Sequence, residues 1–537
     1  MCLTSVITKK NQTPATIKNK IMKTRIYIMV FSAALTLLVG TCKRSVEGRT
    51  DNLAALKPGN QDLNAGNWKP VLLTGPAEFP VAAPIATTTP DYIAQLNEIK
   101  ATRASMTERD KEIVRYWSAG AVLRWNEILR ELVAKHNLPP YQNADGTYPI
   151  PSANNPLAYP LFPFANPPYS ARAYAYVSAA TYDALVAAWY YKMQYNRLAP
   201  YKVDGSITPL VPATDLPSYP SEDAVVDGVM SEMMKLLFPG DQDYIQAKIA
   251  EHQRARILAG ANVRSDIDAG QSLGRSVAQK FVTRARGDRA GAAVGTPAQW
   301  AQLEADTKAR GEIPWYSLET PARPPMLPLF GKVKSLSLDS LTLLSLRPGP
   351  PPSTSSDELK RQTQEVFDYT SNPTRENIRI VHFWSDGAGT YTPPGHWNAI
   401  ACEDFISKNF SEVRWARNLA LLNMAEFDAA IVCWDTKYYY YNPRPSQMNP
   451  AIKTLTGVPN FPSYISGHST FSGAASTILS HIIPERAVDY AIMADEAARS
   501  RLVGGLHYNQ SDCVVGLTVG RNVGGYAVQR ARTDGAE

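Results

Sequence analysis

Cysteine is scarce in this chain, with 5 among 537 residues. Cys402, Cys433 and Cys513 stand far apart and in odd number, so they form neither a zinc pattern nor a disulfide framework. They read as small buried residues, with one disulfide left open in an oxidising compartment. Basic runs are missing too. The net charge of +6 is spread thinly over the chain, which excludes a nucleic-acid surface built from clustered Lys and Arg. No long hydrophobic run follows residue 50, so nothing there reads as a membrane span. Alternating apolar and polar stretches are few, which argues against a sheet-based fold. Hydrophobic content of 44% against 19% charge suits a globular enzyme with a large core. The length asks for two similar units or one large helical body.

The one apolar run is N-terminal. Met22-Lys23-Thr24-Arg25 gives a basic start, Ile26–Val39 is nearly all apolar, and Gly40-Thr41-Cys42 follows. A run of about 14 residues is too short to span a bilayer and right for a signal h-region. Residues 1–42 are therefore expected to be an export signal starting at Met22. Two destinations stay open: a soluble periplasmic protein, or an outer-membrane lipoprotein anchored at Cys42.

Beyond the signal, the chain contains itself twice. At an offset of 245, Ala171-Arg172 falls on Ala416-Arg417, Tyr182-Asp183-Ala184 on Phe427-Asp428-Ala429, and Trp189 and Lys192 on Trp434 and Lys437. Pro217-Ser218-Tyr219 falls on Pro462-Ser463-Tyr464, Gly228 on Gly473, and Arg256 on Arg501. A one-residue shift then aligns Ser265-Asp266 with Ser511-Asp512 and Gly274-Arg275 with Gly520-Arg521. Upstream, Ile113–Gly120 mirrors Ile380–Gly387. The repeated unit is apolar at three- and four-residue spacing and rich in Ala and Leu, which predicts helices over 171–191, 417–434 and 470–483. Helices are also expected over 107–136, closed by Pro139, and over 241–259, closed by Gly260. The expected fold is all-α: two repeated helical bundles about a pseudo-two-fold axis. The order is signal 1–42, extended leader 43–105, first bundle 106–290, Pro/Ser-rich linker and loops 291–375, second bundle 376–537.

A repeat lets the sequence act as its own control. Residues shared by both copies are structural candidates; titratable groups in one copy only are functional candidates. The second copy has Asp386, Arg444, Gly467, His468 and His507 where the first has Ala119, Ala199, Glu222, Asp223 and Asn262. The first copy therefore reads as a scaffold. The second offers Lys437, then Arg444-Pro445, then Ser466-Gly467-His468, then Ser500-Arg501 and His507. Lys and two Arg supply donors and no acceptors, which suits a tetrahedral oxyanion. Gly467 lets a backbone N–H approach that anion at the start of a helix. One histidine can bond to the central atom, and the other can act as general acid and base. Taken singly, an Arg-Pro, a Lys or a core His carries no such meaning; His136, His252 and His481 are read as satisfied core groups.

These three blocks resemble the signature of the vanadium-dependent haloperoxidases, within the type 2 phosphatidic acid phosphatase superfamily. The doubled bundle is similar to that of the haloperoxidase branch. The resemblance implies one vanadate per chain, its oxygens held by Lys437, Arg444, Ser466, Gly467 and Arg501, with His507 as axial ligand to the metal. His468 would shuttle protons, and Asp386 would be the carboxylate that pairs with Arg501. Trp434 and Phe461 would line the halide approach, although Trp189 repeats Trp434 in the first copy. The implied reaction oxidises halide, iodide or bromide above chloride, with hydrogen peroxide to hypohalous acid. The alternative is a secreted acid phosphatase working through a phosphohistidine at His507. Oligomeric state stays open, a homodimer included. One departure concerns Asp512: the family places an aspartate four residues after the last histidine, whereas Asp512 is five after His507. The extra residue within Tyr508-Asn509-Gln510 should bulge the chain behind His507, where Asp512 is expected to orient the imidazole.

Overall fold

The repeat in the sequence is a repeat of helices, element for element. A computed structural model of the chain describes residues 53–138, 144, 166–319 and 322–537. The signal reading on residues 1–42, with Met22 and Cys42, and the helix stop at Pro139 lie outside them. In chain order the α-helices are α1 (Pro90–Ala104), α2 (Glu108–Trp117), α3 (Ala121–His136), α4 (Pro167–Tyr195), α5 (Pro200–Val203), α6 (Glu222–Leu237), α7 (Gln242–Ala259), α8 (Arg264–Arg286) and α9 (Pro297–Ala309). Then come α10 (Ser340–Ser345), α11 (Asp357–Ser371), α12 (Arg375–Phe383), α13 (Thr392–Ile406), α14 (Glu412–Tyr440), α15 (Pro445–Met448), α16 (Gly467–Ile482), α17 (Ala487–Val503) and α18 (Val515–Ala531). A π-helical turn, Asn509–Val514, leads into α18. The described residues contain no strand, and no helix among them is long and apolar enough to cross a membrane.

Helices α4 to α7 and α14 to α17 begin at the offset of 245 that aligned the sequences. The two long helices α4 and α14, 29 residues each, are buried along most of their length on every side, their buried polar groups hydrogen-bonded or paired across the fold. They pack against each other at the centre of the core. Repeat-equivalent residues touch there. Asn423 Nδ2 donates to Ser178 Oγ at 2.8 Å, and Asn126 Nδ2, from the Trp-Asn pair of α3, donates to Asn398 Oδ1, from the Trp-Asn pair of α13, at 2.8 Å. Contact between equivalents is what pairing of two like surfaces requires.

Residues shared by both copies do the same structural work in each. Asp183 on α4 accepts from the amides of Val71, Leu72 and Leu73 at 2.6–3.0 Å; Asp428 on α14 accepts from the hydroxyls of Ser335 and Ser337. Trp189 Nε1 donates to Gln61 O at 3.0 Å, and Trp434 Nε1 to Met326 O at 3.2 Å. Each central helix thus holds part of the segment that precedes its copy. Arg172 pairs with Asp288 at 2.6 Å and Arg417 with Asp534 at 2.7 Å, tying the end of each copy back to its central helix.

Three expectations change. The helix expected over 107–136 is two, α2 and α3, because the chain turns at Gly120 with φ of 118°, a conformation open to glycine. The leader is not extended throughout; its final 15-residue stretch, Pro90–Ala104, is α1, started by Thr89, whose hydroxyl accepts from Tyr92 N. The segment between the copies is more than a surface loop: it holds α9 to α11 and buries Leu327, Phe330 and Val333 in the core. Cys402, Cys433 and Cys513 are buried and free, so the open disulfide does not form among them.

Helices α16 and α18 cross on glycines. A Cβ on Gly520 would lie 2.1 Å from Thr470 O, and one on Gly473 2.5 Å from Leu517 O. Gly520→Ala is expected to cost about 1–3 kcal/mol, as overpacking does. It should lower the urea midpoint and, because α16 carries Ser466-Gly467-His468 at its start, weaken anion binding as well.

Candidate active site

The first turn of α16, the last turn of α17 and Trp434 of α14 meet at one cavity of about 400 Å³. Its walls include Trp434, Phe461, Gly467, His468, Arg501 and His507. Lys437, in the last turn of α14, is fully buried and donates to Pro462 O and Ser463 O, both at 2.8 Å. Arg444 donates through Nε to Phe461 O at 3.0 Å and through Nη1 to Leu506 O and His507 Nε2, both at 2.9 Å. Arg501, in the last turn of α17, donates through Nε to Ser500 Oγ at 3.0 Å. Arg444 Nη2 and Arg501 Nη2 are buried and have no hydrogen-bond partner. None of these three cations makes an ion pair among the described residues. Burial pushes Lys437 down to about 7, with Arg444 adding to the fall, and pushes Arg444 and Arg501 down to about 10.

Helix geometry supplies the rest of the donors. Ser466 caps α16, its Oγ accepting from Ser469 N at 3.3 Å, which leaves the hydroxyl hydrogen to donate elsewhere. The amides of Gly467 and His468 belong to the first turn, where N–H groups have no partner within the helix and the dipole is positive. A Cβ on Gly467 would meet only Phe471 and Trp434, both at an ordinary 3.8 Å. Glycine stands there because a side chain would enter the cavity.

The two histidines are set apart by their partners. His507 Nδ1 donates to Asp512 Oδ2 at 2.8 Å, so its Nε2 carries the lone pair, which Arg444 engages. Asp512 also accepts from the hydroxyl of Ser463, and burial raises its carboxyl. His468 Nε2 lies 3.3 Å from Arg501 Nη1 and 3.7 Å from Asp386 Oδ2. Burial and the neighbouring cations hold both imidazoles well below their usual range, so both are neutral at neutral pH. Trp434 and Phe461 pack with ring centroids 5.0 Å apart. Phe461 also lies 5.0 Å below both Lys437 Nζ and the Arg444 guanidinium, a cation–π platform for the pocket.

A set of donors without acceptors, a lone-pair nitrogen and a neutral imidazole at a helix start form an oxyanion site with acid–base capacity. Residues 418–534 match the family model of the PAP2 superfamily. That stretch of the second copy is similar to the PAP2 superfamily. The fold is similar to that of a bacterial vanadium-dependent iodoperoxidase, at 23% identity and TM-score 0.51 over 68% of this chain and 91% of that one. A holo-type bacterial vanadium-dependent chloroperoxidase aligns at 14% identity and TM-score 0.48, over 71% of this chain and 96% of the other. A search of curated proteins finds no match.

The matched segment contains every cationic, histidine and helix-start residue expected from the sequence; Gly467, His468, Arg501 and His507 line the cavity, whereas Lys437, Arg444 and Ser466 are buried and do not line it. Asp386 lies upstream of that segment and departs from expectation. Its carboxylate is not within ion-pair distance of Arg501, although its charge still favours that cation; it faces His396 Nδ1 at 3.1 Å and His468 Nε2 at 3.7 Å. The chain turns at Asp386 with φ of 44°, which points the carboxylate at these rings. His396 on α13 was missed. Pairing Trp125-Asn126 with Trp397-Asn398 puts it on Arg124, a one-copy titratable group that the upstream alignment, stopping at Gly387, did not reach. Ser463 was passed over because Ser218 repeats it.

Sulfate does not titrate near neutrality, so its binding reads the pocket alone. Lys437 is a cation below about 7 and loses its proton as pH rises through that value. Sulfate affinity, followed by calorimetry, is expected to fall between pH 6 and 8.5, and the fall should vanish in Lys437→Met. A pH-independent affinity in the parent would refute this charge assignment.

Proposed function

We propose that this chain is a vanadium-dependent haloperoxidase that oxidises halide with hydrogen peroxide to hypohalous acid, with iodide or bromide ahead of chloride. The observation that carries the reading is the pair of buried, unpartnered guanidinium donors, Arg444 Nη2 and Arg501 Nη2, on arginines that contact His507 and His468 respectively. Such donors are costly to bury alone and are satisfied by a multi-oxygen anion. The donor set fits vanadate. Lys437, Arg444, Ser466, Gly467 and Arg501 would hold its oxygens, and His507 Nε2 would ligate the metal. Vanadate, when bound, supplies a Lewis acid that activates peroxide without changing oxidation state.

The chain's own groups have separable tasks. An ammonium has three donors, and Lys437 spends two on Pro462 and Ser463, leaving one N–H for a negative oxygen developing in the pocket. His468, neutral and beside Arg501, can take a proton from peroxide and return it to the departing oxygen. Asp512 fixes the His507 tautomer, so Nε2 keeps the lone pair, which Arg444 Nη1 engages at 2.9 Å and would have to yield to the metal. Trp434 and Phe461 give an apolar wall that a large polarisable halide tolerates and that gives a phosphate ester no hydrogen bond. The similarity to a bacterial vanadium-dependent iodoperoxidase supports the same assignment. Export, read from residues 22–42, belongs to this proposal.

The rival is an acid phosphatase, since a lone pair on His507 Nε2 oriented by Asp512 also suits a phosphohistidine. Apo-protein assayed with peroxide and iodide, bromide or chloride, with and without vanadate, separates the two when a phosphate-ester assay runs on the same preparation. Halide oxidation should depend on vanadate. His507→Ala should abolish it with helicity unchanged, and His468→Ala should slow it about 100- to 10,000-fold. Ester hydrolysis that vanadate merely inhibits, without halide oxidation, would mean the pocket serves hydrolysis.

A further inference from the structure

The first copy also has a pocket, and its chemistry is inverted. A cavity of about 170 Å³ lies at the register of the active site, lined among others by Trp189, Ala199, Glu222, Asp223, Arg256 and Asn262. Two of the three cations of the second copy persist here: Lys192 stands for Lys437 and Arg256 for Arg501. Lys192 Nζ donates to Pro217 O at 2.6 Å, just as Lys437 donates to Pro462 O. Helix α6 begins as α16 does, with Ser221 as its cap. Besides Ala199 for Arg444 and Asn262 for His507, the first turn differs. Glu222 occupies the place of Gly467, and its carboxylate lies 2.6 Å from Lys192 Nζ and 4.0 Å from Arg256 Nη2. Asp223 occupies the place of His468 and pairs with Arg256 Nε at 2.9 Å. A side chain at the first position of this helix enters the cavity, and here the side chain is an anion.

We propose that the first pocket is a tetrahedral-oxyanion site closed from within: the Glu222 carboxylate takes the anion's position between Lys192, Arg256 and the start of α6. Removing it opens a second oxyanion site per chain. The inference rests on the oxyanion reading of the second copy, which supplies the template. It explains why the two copies keep the same lysine and the same final arginine although only one is built for chemistry. In the second copy these cations await an external anion; in the first they are neutralised by a tethered one. Asp227, which holds His252 at 2.7 Å beside Asp223, extends that internal neutralisation, and both have been replaced in the second copy, by Ser472 and Ala497.

Equilibrium dialysis with labelled inorganic phosphate counts the sites in the full chain. The parent should bind one phosphate. The double variant Glu222→Gly, Asp223→Asn should bind two, whereas Glu222→Gln, which keeps the pocket filled, should bind one. The reciprocal change, Gly467→Glu, should abolish the parent's phosphate, and it places at the start of α16 a residue the same fold already carries at the start of α6. The double variant binding only one phosphate while remaining folded would overturn the inference and leave the second-copy reading standing. So would Gly467→Glu binding phosphate as the parent does, which keeps the test decisive should the double variant fail to fold. A parent that binds none would overturn the oxyanion reading itself and this inference with it.

Discussion

Three buried cations, none of them in an ion pair among the described residues, set the terms for the rest of the molecule. Lys437, Arg444 and Arg501 are at most 2% exposed, and burying an unpaired charge costs several kcal/mol. The chain meets part of that cost with dipoles and a ring. The carbonyls of Pro462, Ser463, Phe461 and Leu506 take some of the donors of Lys437 and Arg444, and Phe461 lies beneath both. What remains is the demand for an anion, visible in the depressed ammonium of Lys437 and in two guanidinium nitrogens without partners. A mobile protein would relieve this strain by letting the side chains reach water. The site therefore needs a scaffold rigid enough to refuse them that escape.

The repeat is that scaffold. Helix α14, which carries Lys437, is sheathed on one side by α4 and on others by α16 and α18. Its own Trp434 and Asp428 clamp the inter-copy segment, as Trp189 and Asp183 clamp the leader. Trp434 is thus structural through its indole N–H and a wall of the cavity through its ring, which is why it can be shared by an inert copy and still matter in the active one. The inter-copy segment also reaches Asn460, one residue before Phe461: Met326 N donates to Asn460 O at 3.1 Å, and Asn460 Nδ2 to Pro324 O at 2.6 Å. The ring under the cations is held by a segment whose composition alone suggested a linker.

This contrast marks what could be read in the sequence. Helix positions were legible because period and repeat agreed, and the one-copy residues Arg444, Gly467, His468 and His507 were legible because Ala199, Glu222, Asp223 and Asn262 stood opposite them. Partners made across the fold were not. Asp386 was assigned to Arg501, yet it faces His396 and His468, since the turn at 386 fixes a direction that spacing does not encode. The burial of Leu327 and Phe330 was hidden because a Pro- and Ser-rich composition reports local flexibility and says nothing of what covers the segment. The break at Gly120 was masked by helical periodicity that continues across it.

The residue that the sequence marked as a departure shows how tightly the remaining geometry is specified. On the α6 and α8 crossing, Gly228 meets Gln271 O and Gly274; on the α16 and α18 crossing, Gly473 meets Leu517 O and Gly520. The partners on α18 are one residue later than the repeat offset would place them, yet the contacts are the same. Ser221 N donates to Asp266 O and Ser466 N to Asp512 O, both at 3.0 Å, again with the shift already absorbed. His507 sits on the old register and the crossing on the new one. The whole insertion is therefore taken up between them, in the π-turn Asn509–Val514, where one extra residue per turn is what that geometry accommodates. Asp512 lies inside that turn and still reaches His507 Nδ1. The chain could lengthen here only by a form that disturbed neither the glycine crossing that fixes α16 nor the carboxylate that orients the histidine, so the π-turn is a consequence of the site's two nearest constraints.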